Sequence, residues 1–145
     1  MLISLNEIKK YVSIPDNLTN QDLVDLIGSR LVEVEDVIDL APKYKGIYVV
    51  KVVKSTPIEG THLNLCEVDA GAHNAEFSQL ENGLVQVVCG APNARTGILA
   101  AWITPGSIVP QTYGNENFKL GTRKLQGYNS NGMLAAADEL DLGSD

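Results

Sequence analysis

The sequence predicts a mainly β protein, with a small Greek-key barrel over residues 41–145 preceded by a small α/β piece over residues 1–40. Three observations lead there. Helix-start signals are confined to the first forty residues. After Ala41-Pro42 the texture changes to β-branched and alternating runs at short spacing, and Gly-rich turns separate those runs. With 145 residues, 44% apolar and 20% charged, the chain is large enough to bury one domain core plus an appendage and is not disordered.

Ser4-Leu5-Asn6-Glu7 fits a capping box, with Ile3 and Ile8 placed as a hydrophobic staple. The helix it starts is expected to bury Leu5, Ile8, Tyr11 and Val12 before Pro15 limits it. Thr19-Asn20-Gln21-Asp22 repeats the signal with Leu18 and Leu23 as staple. That second helix should bury Leu23, Leu26 and Ile27 and stop near Gly28. Val32-Glu33-Val34-Glu35 then alternates as a half-buried strand would. Two short helices and one strand cannot complete a core alone, so this piece must pack on something else.

In the remainder, strands are expected at Ile47 to Val53, Leu63 to Val68, Leu84 to Cys89 and Ile98 to Ile103, the first run being ended by Pro57. Phe118-Lys119-Leu120 adds a short one, and Ala137 to Leu140 closes the chain as a helical turn. Residues 70–83 are polar and Gly-flanked and read as a hairpin loop. Strands this short and this closely spaced suit an OB-like barrel better than a sandwich. Trp102, in the middle of an apolar run, belongs to the core.

Cys66 and Cys89 lie in apolar strand surroundings without a Cys-x-x-Cys pair, which marks them as reduced core thiols and argues against zinc. Met1-Leu2-Ile3-Ser4 has neither a basic region nor a long apolar run, so no signal peptide or membrane span is expected and the chain reads as cytoplasmic. The sequence carries no phosphate-cradling turn, no spaced metal ligands and no Ser/His/Asp set, and His62 reads as a turn histidine. Catalytic residues and metal ligands are therefore not expected.

The formal net charge is -7. Residues 1–40 hold three basic against eight acidic side chains, and residues 41–145 hold eight against ten. Two segments are locally basic: Lys43, Lys45, Lys51 and Lys54, then Lys119, Arg123 and Lys124. Alternating lysines can simply solvate an outer strand face. If the two segments fall on neighbouring strands, they make an anion-binding stripe.

Ile3-Ser4-Leu5-Asn6, Lys10-Tyr11-Val12 and Leu31 to Glu35 open the chain; Leu65 to Gly71, Val87-Val88-Cys89-Gly90-Ala91-Pro92-Asn93, Phe118-Lys119, Lys124-Leu125-Gln126-Gly127 and Ser130-Asn131-Gly132-Met133-Leu134 follow. In this order they resemble the front of the bacterial phenylalanyl-tRNA synthetase beta subunit, including its tRNA-binding OB-fold domain. The similarity covers nearly the whole chain, and the Cys-Gly-Ala-Pro-Asn string together with the Ser-x-Gly-Met turn is its most specific part. Free-standing tRNA-binding OB proteins share the later motifs and lack this beginning. Thr56 to His62 departs from the family's His-Pro-Asn-Ala-Asp type turn, and Gly127-Tyr128-Asn129 departs from its usual Gly-Val-Glu.

The resemblance implies a ligase of alpha and beta chains that joins phenylalanine to its tRNA with ATP and magnesium. The aminoacylation site would lie in the alpha subunit and the hydrolytic proofreading site in later beta-subunit domains, so this chain, much shorter than that subunit, would be an N-terminal fragment without cofactor. Arg95, Lys119, Arg123 and Lys124 are the expected phosphate contacts, with Asn93 and Ser130 at a sugar or base edge, Tyr113 and Tyr128 as stacking groups and Met133 packing the barrel end. Weak, salt-sensitive tRNA binding is expected. The alternatives are an assembly module that docks on the rest of its subunit with little RNA contact, and an autonomous tRNA-binding protein.

Overall fold

A computed structural model of the protein describes residues 2–77 and 80–143. The chain divides into two units, Met1–Asp39 and Leu40–Asp145.

The first unit carries α1 (Leu5–Ile8) and α2 (Asn20–Arg30). At α2 the capping box is complete: the Asp22 amide donates to Thr19 Oγ1 at 3.2 Å and the Thr19 amide donates to Asp22 Oδ2 at 2.8 Å. The Thr19 hydroxyl also donates to Asp22 and holds its carboxyl below the usual aspartate range. At α1 only half a box forms, because the Glu7 carboxylate turns to Lys10 at 2.7 Å instead of the Ser4 amide.

Three expectations for this unit fail. The first helix ends at Ile8, leaving Tyr11 85% exposed and Val12 also exposed, since so short a helix has no turn on which to carry them inward. The second helix runs through Gly28 to Arg30, with Leu23 half-buried but Leu26 and Ile27 exposed. A helical Gly costs only about 1 kcal/mol against Ala. Val32 to Glu35 forms no strand, because alternation makes one only where another strand completes the ladder.

The second unit is the predicted OB-type barrel. Its strands are β1 (Ile47–Pro57), β2 (Asn64–Asp69), β3 (Val85–Cys89), β4 (Leu99–Ile103), β5 (Arg123–Leu125), β6 (Tyr128–Ser130) and β7 (Met133–Ala135). Five form one curled antiparallel sheet in the order β3-β2-β1-β4-β7, while β5 and β6 make a separate ribbon. The long β1 is the hinge of the curl. Its first half pairs with β4 and its second with β2, and a bulge between Val52 and Lys54 bends it where one pairing hands over to the other.

Alternation along each strand turns Val50, Val52, Cys66, Val68, Val85, Val87 and Trp102 into one core. Each full burial of a side chain of this size stabilises by roughly 1.5–3 kcal/mol. Both cysteines are buried and free, and burial pushes the Cys66 thiol upward in pKa.

Residues 70–83 contain more than the loop expected of them. A 3-10 turn at Gly71–His73 leads into α3 (Asn74–Phe77), which sets Phe77 edge-on to Trp102 at 5.2 Å and His73 stacked on Tyr48 at 3.8 Å. Asp69 starts this segment by accepting from the Gly71 amide at 2.9 Å and from Asn74 Nδ2 at 2.8 Å. The Gly71 amide first, then Asn74, hold the Asp69 carboxyl below its ordinary range. A depressed carboxyl contributes stability that is present above the unfolded value and is lost as pH falls through the folded one. Acidification should therefore loosen this turn, read as faster exchange of the Gly71 amide relative to core amides than at neutral pH; Asp69→Asn should remove that pH dependence.

The β5–β6 ribbon was not expected from its sequence. It is a two-residue hairpin whose turn residues, Gln126 at φ 50° and Gly127 at φ 87°, take the left-handed conformations that match strand twist. Phe118 to Leu120 makes a single bridge, Lys119 to Ile108, flanked by bonds from the Val109 amide to Phe118 and from the Leu120 amide to Ser107. Ala137 to Leu140 forms the expected closing turn, with the Leu140 amide donating to Ala136 O at 3.2 Å. Among the described residues, no helix is long and apolar enough to cross a membrane.

Candidate nucleic-acid interface

The two turn motifs that stand out in the sequence have different tasks in the fold. In the first, Cys89 ends β3 inside the core and the chain turns at Pro92-Asn93, with the Ala94 amide donating to Ala91 O at 3.1 Å. Ser55 ties this loop to β1, its hydroxyl donating to Ala94 O at 3.3 Å and its amide to Thr96 Oγ1 at 3.1 Å. A side chain at Gly90 would meet Leu63 at 3.4 Å and the His62 ring at 3.7 Å, so His62 packs beside this turn. Asn93 is left exposed at its tip.

The second motif is the clasp of the barrel. Ser130 is 3% exposed; its hydroxyl accepts from the Val88 amide at 2.9 Å and donates to Gly132 O at 3.0 Å. The Asn131 amide donates to Gln86 O at 2.9 Å, and Gln86 Nε2 donates to Asn129 O at 2.8 Å. Asn131 O in turn accepts from Trp102 Nε1 at 2.8 Å. Segment 129–131 thus joins β3, at one end of the sheet, to the chain entering β7, at the other end, and satisfies buried polar groups on both sides.

An open groove of about 840 Å³ runs between the Pro92-Asn93 turn and the β5–β6 hairpin, floored by small and apolar side chains such as Ala91, Ala101 and Ala135. It brings together three of the six residues singled out for RNA contact: Asn93, Arg123 and Ser130. Of these, Ser130 has its hydroxyl committed inside the fold, to the Val88 amide and the Gly132 carbonyl. Arg95, Lys119 and Lys124 are not among its lining residues, although each is next in sequence to one, at Ala94, Leu120 and Leu125. Arg95 Nη1 also donates to Asn93 O at 3.3 Å.

Adjacent strand residues face opposite ways, so Arg123 and Lys124 project from opposite faces of their ribbon. Nor do the two basic segments make one stripe, since β1 and β5 belong to different sheets. The first segment is also largely neutralised. Lys43 pairs with Asp141, Lys54 with Glu67 at 3.5 Å, and Lys51 lies opposite Asp69 in the ladder. Asp141 raises the Lys43 pKa by hydrogen bonding to it. By contrast, among the described residues Arg95, Lys119, Arg123 and Lys124 have no carboxylate at ion-pair distance.

One aromatic ring stands beside these cations. Arg123 lies over the Phe118 ring at 5.7 Å, a contact that nothing in the local sequence signalled because it spans the loop between Phe118 and β5. Tyr128 heads β6, while Tyr113 follows the 3-10 turn at Pro110–Thr112; both are partly exposed. Met133 lines the groove from β7. Among the described residues, no three His, Cys, Asp or Glu side chains gather where they could hold a metal ion.

No family model matches the chain. Curated relatives do. A phenylalanine–tRNA ligase beta subunit of Neisseria meningitidis serogroup B is 37% identical over 130 residues, covering 88% of this chain and 15% of the relative. The beta subunit of Streptococcus agalactiae serotype V is 32% identical over 142 residues, 98% of this chain and 16% of the relative. That of Chlorobaculum tepidum is 35% identical over 147 aligned positions, 100% of this chain and 17% of the relative. The chain thus spans about a sixth of the length of the relatives it matches. From end to end, it is a homologue of one segment of the bacterial phenylalanine–tRNA ligase beta subunit.

Proposed function

We propose that the chain serves as the N-terminal segment of a cytoplasmic phenylalanine–tRNA ligase beta subunit, and that its OB barrel is an auxiliary tRNA-binding module. The observation that carries this reading is that, among the described residues, Arg95, Lys119, Arg123 and Lys124 have no carboxylate at ion-pair distance, with Arg123 lining the groove and the other three next in sequence to lining residues, in a unit whose overall charge is only slightly acidic. Cations already paired with carboxylates gain little from a phosphate, whereas unpaired ones release counterions and attract the RNA backbone. In this reading ATP and magnesium are used elsewhere in the full enzyme, the alpha subunit is the partner that carries the aminoacylation site, and the barrel contributes only affinity and orientation.

With about four phosphate contacts, log K against log salt should fall with a slope of roughly -3, at about -0.7 to -0.9 per contact. Arg123→Glu with Lys124→Glu should abolish tRNA binding in a fluorescence titration, while the emission of Trp102, the sole tryptophan, stays that of the folded barrel. Affinity that is flat across salt, or unchanged by the double reversal, removes the electrostatic site.

A second reading, as an assembly module, draws on the first unit, where Leu26, Leu31, Val32, Val37 and Ile38 are all exposed apolar side chains. It predicts that the unsubstituted chain binds tRNA no better than the charge-reversed one.

A further inference from the structure

We infer that Asn82 is a self-modification site: the backbone nitrogen of Gly83 attacks its side-chain amide, and residue 82 becomes aspartate or isoaspartate, which releases the end of the β2–β3 connection. The inference does not depend on the tRNA-binding reading.

The chain has two Asn-Gly pairs, Asn82-Gly83 and Asn131-Gly132. A glycine after asparagine leaves the next backbone nitrogen without a Cβ beside it, so the side chain can close on that nitrogen. The fold treats the two pairs oppositely. Asn82 and Gly83 are exposed in a turn, Gly83 takes φ 76°, and nothing lies within 4 Å of where its Cβ would stand. The Leu84 amide donates to Asn82 Oδ1 at 3.1 Å, an Asx turn that curls the side chain back over the Gly83 peptide. That bond also puts a donor on the oxygen that gains negative charge when the carbonyl is attacked. Glu67 Oε2 accepts from Asn82 Nδ2 at 2.7 Å and fixes the other end of the amide. Asn131, by contrast, is 3% exposed, with Nδ2 donating to Gln86 O at 3.2 Å and Gly132 pressed against Ile103 O. It has no room to close a ring and no access for water.

In the reaction a bond forms between Gly83 N and Asn82 Cγ, the Gly83 amide proton goes to a base in solvent, and the Cγ–Nδ2 bond breaks as the nitrogen takes up a proton and leaves as ammonia. Water then opens the succinimide at either carbonyl. Because the Gly83 amide donates to Leu80 O at 3.0 Å, local opening of this exposed turn sets the pace. The product cannot keep the contact it replaces. A carboxylate at 82 has no proton for Glu67 and repels it, and Lys54, 3.5 Å from Glu67 Oε1, offsets only part of that charge. Asp69 anchors the start of the β2–β3 connection and Asn82 its end, with Phe77 between them packed on Trp102. Modification thus undoes one of two anchors.

The test incubates the 145-residue chain at neutral pH, native or in guanidinium chloride, and follows the peptides containing residues 82 and 131 by mass spectrometry. Labelling by an isoaspartate-specific methyltransferase is the second readout. In the native chain the Asn82 peptide should gain the deamidation increment while the Asn131 peptide stays unchanged; in denaturant both should convert. Gly83→Ala, for which the structure has room, should convert several times more slowly, and Asn82→Gln, which would need a larger ring, should not convert. Asn82→Asp should make Trp102 emission more accessible to a soluble quencher than in the parent. An Asn82 that stays unmodified in the native chain, or an Asn131 that converts there as fast, overturns the inference. Parental quenching of Trp102 in Asn82→Asp overturns the release of the connection.

Discussion

Gly132→Ala is expected to destabilise the barrel by about 3–5 kcal/mol, summing left-handed backbone strain with the loss of a buried hydrogen bond. Gly132 sits at φ 81°, where an added Cβ would lie 2.2 Å from Ile103 O and 2.8 Å from Trp102 Nε1. The first of these atoms is backbone within a paired strand and cannot step aside. The second is the donor that closes the clasp on Asn131. Gly60→Ala is the matched control, since Gly60 has φ 72° and open space around it, so it carries the conformational cost alone. Urea unfolding followed by Trp102 emission should place the midpoint of Gly132→Ala far below that of Gly60→Ala. Coincident midpoints would mean that the clasp does not hold the barrel shut. A domain of this size has about 5–15 kcal/mol in total, so the variant should be marginal at best. It should also lose RNA binding, because the hairpin bearing Arg123 is moored by residues 129–131.

The second large effect is expected at Trp102→Ala, at roughly 3–5 kcal/mol for a truncated buried aromatic. Trp102 is 0% exposed, meets Phe77 edge-to-face, and donates to Asn131 O from the centre of the core. Its removal leaves a cavity between α3 and β4 and a buried carbonyl without its donor. Trp102→Phe should fall between the two, keeping most of the apolar contact while losing the N–H. Since the variants lack the only tryptophan, far-UV circular dichroism in denaturant is the readout. A Trp102→Ala protein within about 1 kcal/mol of the parent would show that burial there contributes little.

Both substitutions bear on how the Ser-x-Gly-Met turn is understood. As sequence, Ser130 offers a hydroxyl beside a basic pair, the pattern of an RNA contact. In the fold, that hydroxyl meets the Val88 amide from a strand more than forty residues away. A polar side chain in a turn looks the same whether water or a distant backbone amide satisfies it. The same limit applies to Phe77, whose four-residue helix has no periodicity to detect and gains its place only by packing on Trp102.

The sequence alone was sufficient for the β-barrel class, the four principal strands, the core position of Trp102, the buried cysteines and the similarity to the ligase beta subunit. Those signals are local: alternation, turn residues and motif order survive without knowledge of neighbours. Only the tertiary structure decided which cations stay unpaired, which of Arg123 and Lys124 faces the groove, and that Val32 to Glu35 forms no strand. Each of these depends on what a distant segment brings within a few ångströms, since ion pairs, strand partners and burial are properties of two places in the chain at once.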